Sequence, residues 1–370
     1  MVTSASTTDN SHMQAALGLA RRGLGEVWPN PAVGCILVKD GRVVGRGWTG
    51  QGGRPHAETV AVAQAGPAAA GATAYVTLEP CSHHGKTPPC ADALIAAGVK
   101  RVVVAIEDPD PRVSGRGMER LRGAGLTVEL GCGAEAASEL NAGFFRRVVD
   151  GRPLVTLKIA SSLDGRIATS SGESQWITGP SAREAGHLLR AESDAIMIGS
   201  GTVLADNPEL TCRLPGLEDR SPIRLVVDGH LRLPLTSKLV ATAGRNPTWL
   251  ITKMGNEPER LRAFAGCGVE LVEVPTAGDG KVDLVWVFRE LGRRGLTRVL
   301  VEGGARIAAA LLHQNLVDRL AWFRAPTMLG GDGLAAAVSF GVDRLAAAPR
   351  FRRLSVAELG DDLFEYLARE

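Results

Sequence analysis

The chain has almost no net charge: 42 Lys and Arg against 40 Asp and Glu leave a formal +2 over 370 residues. Such a balance gives no electrostatic footprint for nucleic acid or for an anionic membrane. Aromatic residues are also scarce, at 4%, so there is no stacking track for a single-stranded nucleic acid. The Arg pairs at 146–147, 293–294 and 352–353 are isolated doublets, read as solvated faces of helices or strands. No apolar run approaches the length of a membrane span. The opening MVTSASTTDNSHM lacks the apolar stretch of a secretory signal, and residues 1 to about 10 are expected to form a disordered tail. Cysteine is limited to six residues. Without a secretion signal, these point to a reducing, cytoplasmic setting and to metal or thiol roles, not to a disulfide framework. Cys35, Cys132, Cys212 and Cys267 have no partner spacing and read as small buried hydrophobes.

What the chain does have is length and regular alternation. At 370 residues it exceeds one ordinary core, so two domains are expected. The segment AVGCILVKDGRVVGRGW (32–48) is two apolar runs joined by Asp40-Gly41, a hairpin signal. Helices at 56–66, 90–98, from about 115, and at 134–149 alternate with strands at 72–80, 99–108 and 126–130. The pattern predicts a mixed sheet covered on both faces. DGRP (150–153) marks a boundary, giving domains of 1–149 and 150–370. Beyond it, strands are expected at 154–160, 194–200, 223–229, 248–252, 269–274 and 298–304. Helices near 181–192, 257–265, 283–294 and 305–315 separate most of them. This second domain reads as an open α/β sheet of the kind that binds nucleotides at strand carboxyl ends.

The first domain contains EPCSHHGKTPPC (79–90), preceded by PHAE (55–58). His56 and Glu58, followed by Pro80-Cys81 and Cys90, match the H-x-E…P-C…C order of zinc-dependent nucleobase deaminases, with an eight-residue gap where two residues are usual. Three ligands leave the fourth tetrahedral position open, as catalytic zinc requires. The ion brings the pKa of its water to roughly 7, and Glu58 is then available to shuttle protons. Positions two apart on an ideal helix diverge by about 200°, so His56 must lie at an irregular helix start after Pro55 for both side chains to face one ion. Cys90 opens a helix, whose free N–H groups are expected to favour its thiolate. The rival reading is a structural zinc site with His83 or His84 as fourth ligand, which leaves Glu58 without a role.

The stretches WPNPAVGCILVKDGRVVGRGW, PHAE, TLEPCSHHGKTPPCADALI and DPDPRVSGRG together resemble the deaminase half of the bifunctional riboflavin-biosynthesis deaminase/reductases. GFFRRVVDGRPLVTLKIASSLDGRIATSSGESQWITG, GTVLADNPELTCR and VEGGARIAAALL resemble the reductase half, so the likeness covers nearly the whole chain. The resemblance implies a cytidine-deaminase-like three-layer domain with a mixed sheet, followed by a dihydrofolate-reductase-like α/β domain. It implies zinc and NADPH as cofactors. The implied reactions are zinc-hydroxide deamination of 2,5-diamino-6-ribosylamino-4(3H)-pyrimidinone 5′-phosphate, then reduction of the ribosyl chain to ribityl. Partners are expected to be these pyrimidine ribosyl phosphates and further copies of the chain in a homo-oligomer, with no nucleic acid and no membrane.

By motif position the resemblance places Asn30, His83, Lys86 and Asp108 on the first substrate, with His56, Cys81 and Cys90 on zinc and Glu58 as the acid–base residue. Thr49 and Asp110 stand where the family often has His and Asn. In the second domain it puts NADPH near Ala160, Ser174, Trp176, Thr202, Asp206, Gly304, Ala305 and Arg306. It puts substrate near Lys158, Ser174, Arg190, Leu210, Arg213 and Glu302. The residue types suit these roles. Glycines at a strand–helix junction let a phosphate approach the helix N–H groups, and Arg190 and Arg213 can clamp a phosphate bidentately. Lys158 and Glu302 can address ribose hydroxyls, and Asp206 is the candidate for proton delivery. Trp176 reads equally well as core packing or as a wall beside the nicotinamide.

Overall fold

A computed structural model describes residues 6–83, 88–111 and 113–370 and divides into two compact units, Met1–Gly151 and Arg152–Glu370. Lys86 and His84 lie outside the described residues. No helix among the described residues is long and apolar enough to cross a membrane.

The first unit runs α1 (Thr7–Arg21), β1 (Gly34–Lys39), β2 (Arg42–Trp48), α2 (Ala57–Ala65), β3 (Thr73–Val76), α3 (Cys90–Ala96), β4 (Arg101–Val104), α4 (Arg116–Gly123), β5 (Thr127–Leu130), α5 (Ala134–Leu140) and α6 (Ala142–Asp150). Its five strands form one sheet in the order β2-β1-β3-β4-β5. β1 is antiparallel to β2 and β3, while β3, β4 and β5 are parallel, so the sheet is mixed as expected. The hairpin turns on Asp40 and Gly41, both at positive φ (49° and 73°), the conformation a two-residue turn demands. Alternation along β1 sends Cys35 and Leu37 into a core with Ala57, Ala61, Leu94 and Leu121, whereas Ile36 and Val38 face Met13, Leu17 and Ala137. The result is helix, sheet, helix. α2 lies tight on β2 because a Cβ at Gly45 or Gly47 would sit 2.2 and 2.1 Å from the carbonyls of Ala61 and Ala57.

Two expectations are corrected. The segment read as a tail is helical from Thr7, with Ser6 capping it through the N–H of Asp9 (3.1 Å). Asp9 is buried and accepts from Tyr75 Oη (2.7 Å) and from both terminal nitrogens of Arg101 (2.9 and 3.0 Å). These long-range bonds stabilise a helix whose own sequence is largely polar. The single helix expected over 134–149 is broken at Asn141. Its amide oxygen accepts from the Ala32 N–H (2.9 Å) and its Nδ2 donates to the Ala32 carbonyl (3.1 Å).

The second unit runs β6 (Leu154–Ser161), β7 (Arg166–Ala168), α7 (Pro180–Ala191), β8 (Ala195–Gly199), α8 (Ser200–Asp206), β9 (Ile223–Val227), α9 (Lys238–Ala241) and β10 (Thr248–Lys253). It continues through α10 (Pro258–Gly266), β11 (Glu270–Val274), α11 (Leu284–Arg293), β12 (Arg298–Glu302), α12 (Ala305–His313), β13 (Arg319–Arg324), β14 (Leu334–Ala335), β15 (Phe351–Leu359) and β16 (Asp362–Arg369). A nine-stranded sheet has the order β11-β10-β9-β8-β12-β6-β13-β16-β15. From β11 to β13 all neighbours are parallel, and β16 and β15 close the sheet as an antiparallel hairpin. That hairpin departs from the purely open α/β reading. Its strands are half-exposed and carry no continuous apolar run. β12 returns between β8 and β6, and this reversal opens a crevice at the strand carboxyl ends.

The Arg101–Asp9 pair generates a test. Arg101 holds the Asp9 carboxyl well below the usual carboxylate range, against the opposing effect of burial. A depressed folded pKa stabilises above the unfolded value near 3.8 and is lost as pH falls below it. Asp9→Ala should therefore cost the first unit about 2 kcal/mol at pH 7. The gap to the parent chain should narrow in denaturant titrations run below pH 4; a gap that does not change with pH counts against the pair.

Candidate active sites

His56 is the residue immediately before α2, in extended conformation (φ −73°, ψ 152°), so the irregular helix start that two-residue spacing requires is present. Cys81 comes after the bend beyond β3, and Cys90 is the first residue of α3. The imidazole Nδ1 lies 3.1 Å from Cys90 Sγ and 3.6 Å from Cys81 Sγ. Ligand atoms of His56, Cys81 and Cys90 all fall within 4.8 Å of one another, and they are the metal-capable group among the described residues. One imidazole and two sulfurs suit zinc. Bonds of about 2.1 and 2.3 Å give a tetrahedral edge of roughly 3.6 Å, close to these separations. His83 is exposed and is not part of this group.

The N–H of Cys90, at the start of α3, donates to Cys81 Sγ at 3.3 Å. The Cys90 thiol first, then His56 and that N–H, lower the Cys81 thiol against the opposing effect of burial. The helix start thus acts across the loop instead of on its own residue. Glu58, in the first turn of α2, is 3% exposed. Burial first, then the negative Cys81, raise its carboxyl to about 7.

Glu79, which sequence reasoning did not single out, fixes the chain that carries Cys81. Its buried carboxylate accepts from four backbone N–H groups, those of Asp108 (3.3 Å), Gly115 (2.9 Å), Gly117 (2.8 Å) and Met118 (3.2 Å). Gly117 is needed there, since a Cβ would sit 1.9 Å from the Pro80 carbonyl. Of the residues placed on the first substrate, Asn30 is half-buried and donates to the Gly52 carbonyl at 3.3 Å, on the loop leading to His56. Asp108 is buried beside Glu79, accepting from the Asp110 N–H at 2.9 Å. Both therefore abut segments that carry metal ligands. Thr49 bonds the Val33 backbone through its hydroxyl (2.9 Å), a framework role.

In the second unit, Glu302 ends β12 and Lys158 lies opposite it on β6. Arg190 from α7 grips Glu302 bidentately (2.7 and 2.9 Å) and donates its third nitrogen to the Thr211 carbonyl (2.9 Å). Lys158 Nζ is 4.0 Å from Glu302 and 5.6 Å from the Phe323 ring centre. Burial opposes the Glu302 charge, yet Arg190 and Lys158 outweigh it and hold its carboxyl at about 2. Burial is the chief cause lowering Lys158. Because the Arg190 fork is already committed to Glu302, it does not fit the expected bidentate phosphate clamp. Arg213 keeps that capacity, with its side chain 52% exposed. Leu210 turns the chain at positive φ (57°), a strained conformation for a bulky residue. His187, one turn before Arg190 on α7, was not anticipated. It accepts from the Arg213 N–H (3.3 Å), and burial with Arg190 and Arg213 lowers it to about 4.

Gly303 and Gly304 both have positive φ (79° and 75°), and a Cβ on Gly304 would lie 3.2 Å from Thr202 Oγ1. This bare cradle, opening onto Ala305 and the exposed Arg306 at the start of α12, fits the approach of a dinucleotide phosphate. Thr202 and Asp206 are four apart on α8 and share its face. Asp206 is exposed at the end of that helix. Trp176 is 67% exposed with Arg183 over its ring, which removes the core-packing reading. Ser174 is half-buried two residues before it, and Ala160 is half-buried on β6.

Residues 6–106 match the cytidine and deoxycytidylate deaminase zinc-binding region, and residues 153–364 match the RibD C-terminal domain. The riboflavin biosynthesis protein RibD of Escherichia coli (strain K12) is 44% identical over 373 residues, covering 97% of this chain and 99% of that protein. This chain belongs to the RibD family. RibD of Aquifex aeolicus (strain VF5) is 40% identical, with 98% of each chain covered. Among solved structures, RibD of Acinetobacter baumannii (form 1) superposes with a TM-score of 0.86 at 40% identity, covering 98% of this chain and 99% of its own. A diaminohydroxyphosphoribosylaminopyrimidine deaminase/5-amino-6-(5-phosphoribosylamino)uracil reductase from Thermotoga maritima gives 0.85 at 34% identity, with 98% and 99% covered. Like other RibD proteins, the chain is a bifunctional enzyme with a zinc-binding deaminase region and an NADPH-dependent reductase domain.

For the first site, purified protein should carry about one zinc per chain, held by one imidazole and two thiolates. X-ray absorption at the zinc edge measures this directly. A first shell with two imidazoles would bring His83 or His84 in and remove the open position.

Proposed function

We propose that the first unit releases ammonia from the 2-amino position of 2,5-diamino-6-ribosylamino-4(3H)-pyrimidinone 5′-phosphate, and that the second reduces the ribosyl chain of the product to ribityl. The observation that carries the reading is the convergence of His56, Cys81 and Cys90 beside the buried carboxyl of Glu58. Zinc, when bound there, supplies the Lewis acidity that makes water a nucleophile at neutral pH. Glu58 carries one proton of the attacking water to the ring nitrogen and then the second, from the new hydroxyl, to the departing amine, which leaves as ammonia. A carboxyl raised toward neutrality is suited to both halves of that task. Asn30 offers a donor and an acceptor to the pyrimidine edge. Asp108, His83 and Lys86 complete the substrate set that motif position suggests.

In the second unit NADPH supplies the reducing equivalents. Its contacts are assigned to Ala160, Ser174, Trp176, Thr202, Asp206, Gly304, Ala305 and Arg306, on the strength of the Gly303-Gly304 cradle against Thr202. Lys158 and Glu302 face the sugar hydroxyls, with Arg190 holding Glu302 ionised and oriented. Ser174 and the backbone at Leu210 line the same substrate. Arg213 takes the substrate phosphate, supported by its exposed guanidinium next to the His187–Arg190 turn of α7. Asp206 is the proton source. Its carboxyl, though exposed, is raised by partial desolvation, and it shares a helix face with Thr202.

The setting is a reducing, cytoplasmic one, consistent with six cysteines that all remain unpaired. The edge strand β15, with Val356 exposed, favours a homo-oligomer that covers it.

Glu58→Gln should keep its zinc and lose ammonia release by at least about 100-fold. NADPH oxidation on supplied deaminated intermediate should continue unchanged. Near-normal deamination by this variant would move the acid–base role elsewhere. Arg213→Ala should raise KM for the ribosyl phosphate by about 10-fold or more while leaving the Kd for NADPH alone. Equal losses would move that arginine into the nucleotide site.

A further inference from the structure

Residues 210–213 form neither helix nor strand, yet each of them is tied down. Leu210 is buried in one core with Val203 and Leu231. The Thr211 carbonyl accepts from Arg190 at 2.9 Å. The Cys212 N–H donates to Ser221 Oγ (3.1 Å) and its thiol to the His187 carbonyl (3.5 Å). The Arg213 N–H, the last in the series, donates to His187 Nδ1 at 3.3 Å. Bonds from Thr211, Cys212 and Arg213 thus all lead to one turn of α7, which begins at His187 and ends at Arg190.

That same turn supports the enclosed ion cluster. Arg190 holds Glu302, and a Cβ on Gly186 would lie 3.9 Å from Lys158 Cε. His187 therefore stands between the charged centre of the site and the loop that bears an exposed arginine.

The bond at Nδ1 fixes the state of the imidazole. A ring nitrogen that accepts an N–H carries no proton, so the ring is neutral with its hydrogen on Nε2. Burial with Arg190 and Arg213 agrees, holding the group at about 4 against Glu302 and the Thr211 backbone. An apolar side chain here would fill the space and leave the Arg213 N–H to water. Because this bond lies at the surface, water replaces it at little cost in stability. Placement is what suffers. The Arg213 guanidinium makes long contacts, 3.4 Å to Thr211 Oγ1 and 4.0 Å to Glu209, so its backbone anchor decides where it stands.

We propose that His187 is a positioning residue of the reductase, seating residues 210–213 on α7 so that the Arg213 guanidinium meets the substrate phosphate. This rests on the assignment of Arg213 to that phosphate.

The test uses the full-length enzyme and supplied deaminated intermediate, with and without its phosphate. His187→Phe keeps a ring and loses the acceptor. It should raise KM for the phosphorylated compound by about 10-fold, the equivalent of one charge-assisted hydrogen bond, and by no more than Arg213→Ala does. Its kcat, its Kd for NADPH and its kcat/KM for the dephosphorylated compound should stay within about threefold of the parent. His187→Asn, whose Oδ1 stands where Nδ1 stood, should restore KM. In an Arg213→Ala background His187→Phe should add nothing further, because both changes remove the same contact. If the phenylalanine variant melts early, His187→Ala supplies the comparison, since alanine suits a helix interior. An unchanged KM, an equal loss with the dephosphorylated compound, no recovery in His187→Asn or full additivity overturns the role of His187 while the effect of Arg213→Ala stands. A parental KM in Arg213→Ala overturns the phosphate assignment, and the role of His187 with it.

Discussion

A strand that stops inside a protein leaves backbone N–H groups with no ladder partner, and burying them unpaired is costly. This chain meets that constraint repeatedly with buried carboxylates, and both candidate sites depend on the result. Glu79 collects four N–H groups beyond β3 and β4 and so fixes the turn that presents Cys81. Asp194 accepts from the N–H groups of Thr297 and Arg298 and sets the start of β12, the strand that delivers Glu302. Asp318 does the same for Val155 at the start of β6, and its bidentate bond with Arg152 keeps the charge compensated. Asp228 accepts from Leu233 and turns the chain after β9. None of these needs to touch a reacting atom. Each converts an otherwise loose strand end into a fixed platform.

The carboxylates that face the chemistry are tuned in opposite directions by their neighbours. Glu58 sits in a cluster of negative character, with the Cys81 sulfur beside it, so burial and repulsion both resist its ionisation. Glu302 is as deeply placed, but two cations lie against it and overcome burial. A group that carries protons must titrate near the working pH, and a group that orients ligands must keep one charge state. The sequence supplies Glu in both places, and the surroundings decide which kind of glutamate each becomes.

Much of the first site was legible because its signal is local. The H-x-E spacing with Pro55 dictated that His56 stand outside the helix, and it does. Asp40-Gly41 fixed the hairpin for the same reason, since the turn chemistry resides in the two residues themselves. What escaped depends on partners distant in sequence. The polar start of α1 looked like a tail because Asp9 finds Arg101 and Tyr75 only in the fold. Asn141 interrupts a good helical pattern because Ala32 offers it both backbone groups. The bond from the Cys90 N–H to Cys81 Sγ is made across a loop, between residues nine apart. The last antiparallel strands have half-exposed faces and no continuous apolar run, and their pairing is set by β13.

Burial divides the second site into two kinds of residue. Lys158, Arg190 and Glu302 are enclosed and mutually compensating, so each depends on the others for its charge and position. Removing one strands a buried charge, and the loss then includes desolvation as well as any contact with substrate. Arg213 and Trp176 stand at the surface of the same unit, with N–H groups or a ring face uncovered. Their surroundings do not rely on them for charge balance. Ligand preference can therefore vary at these exposed positions while the enclosed ion cluster, and the strand ends that hold it, stay as they are.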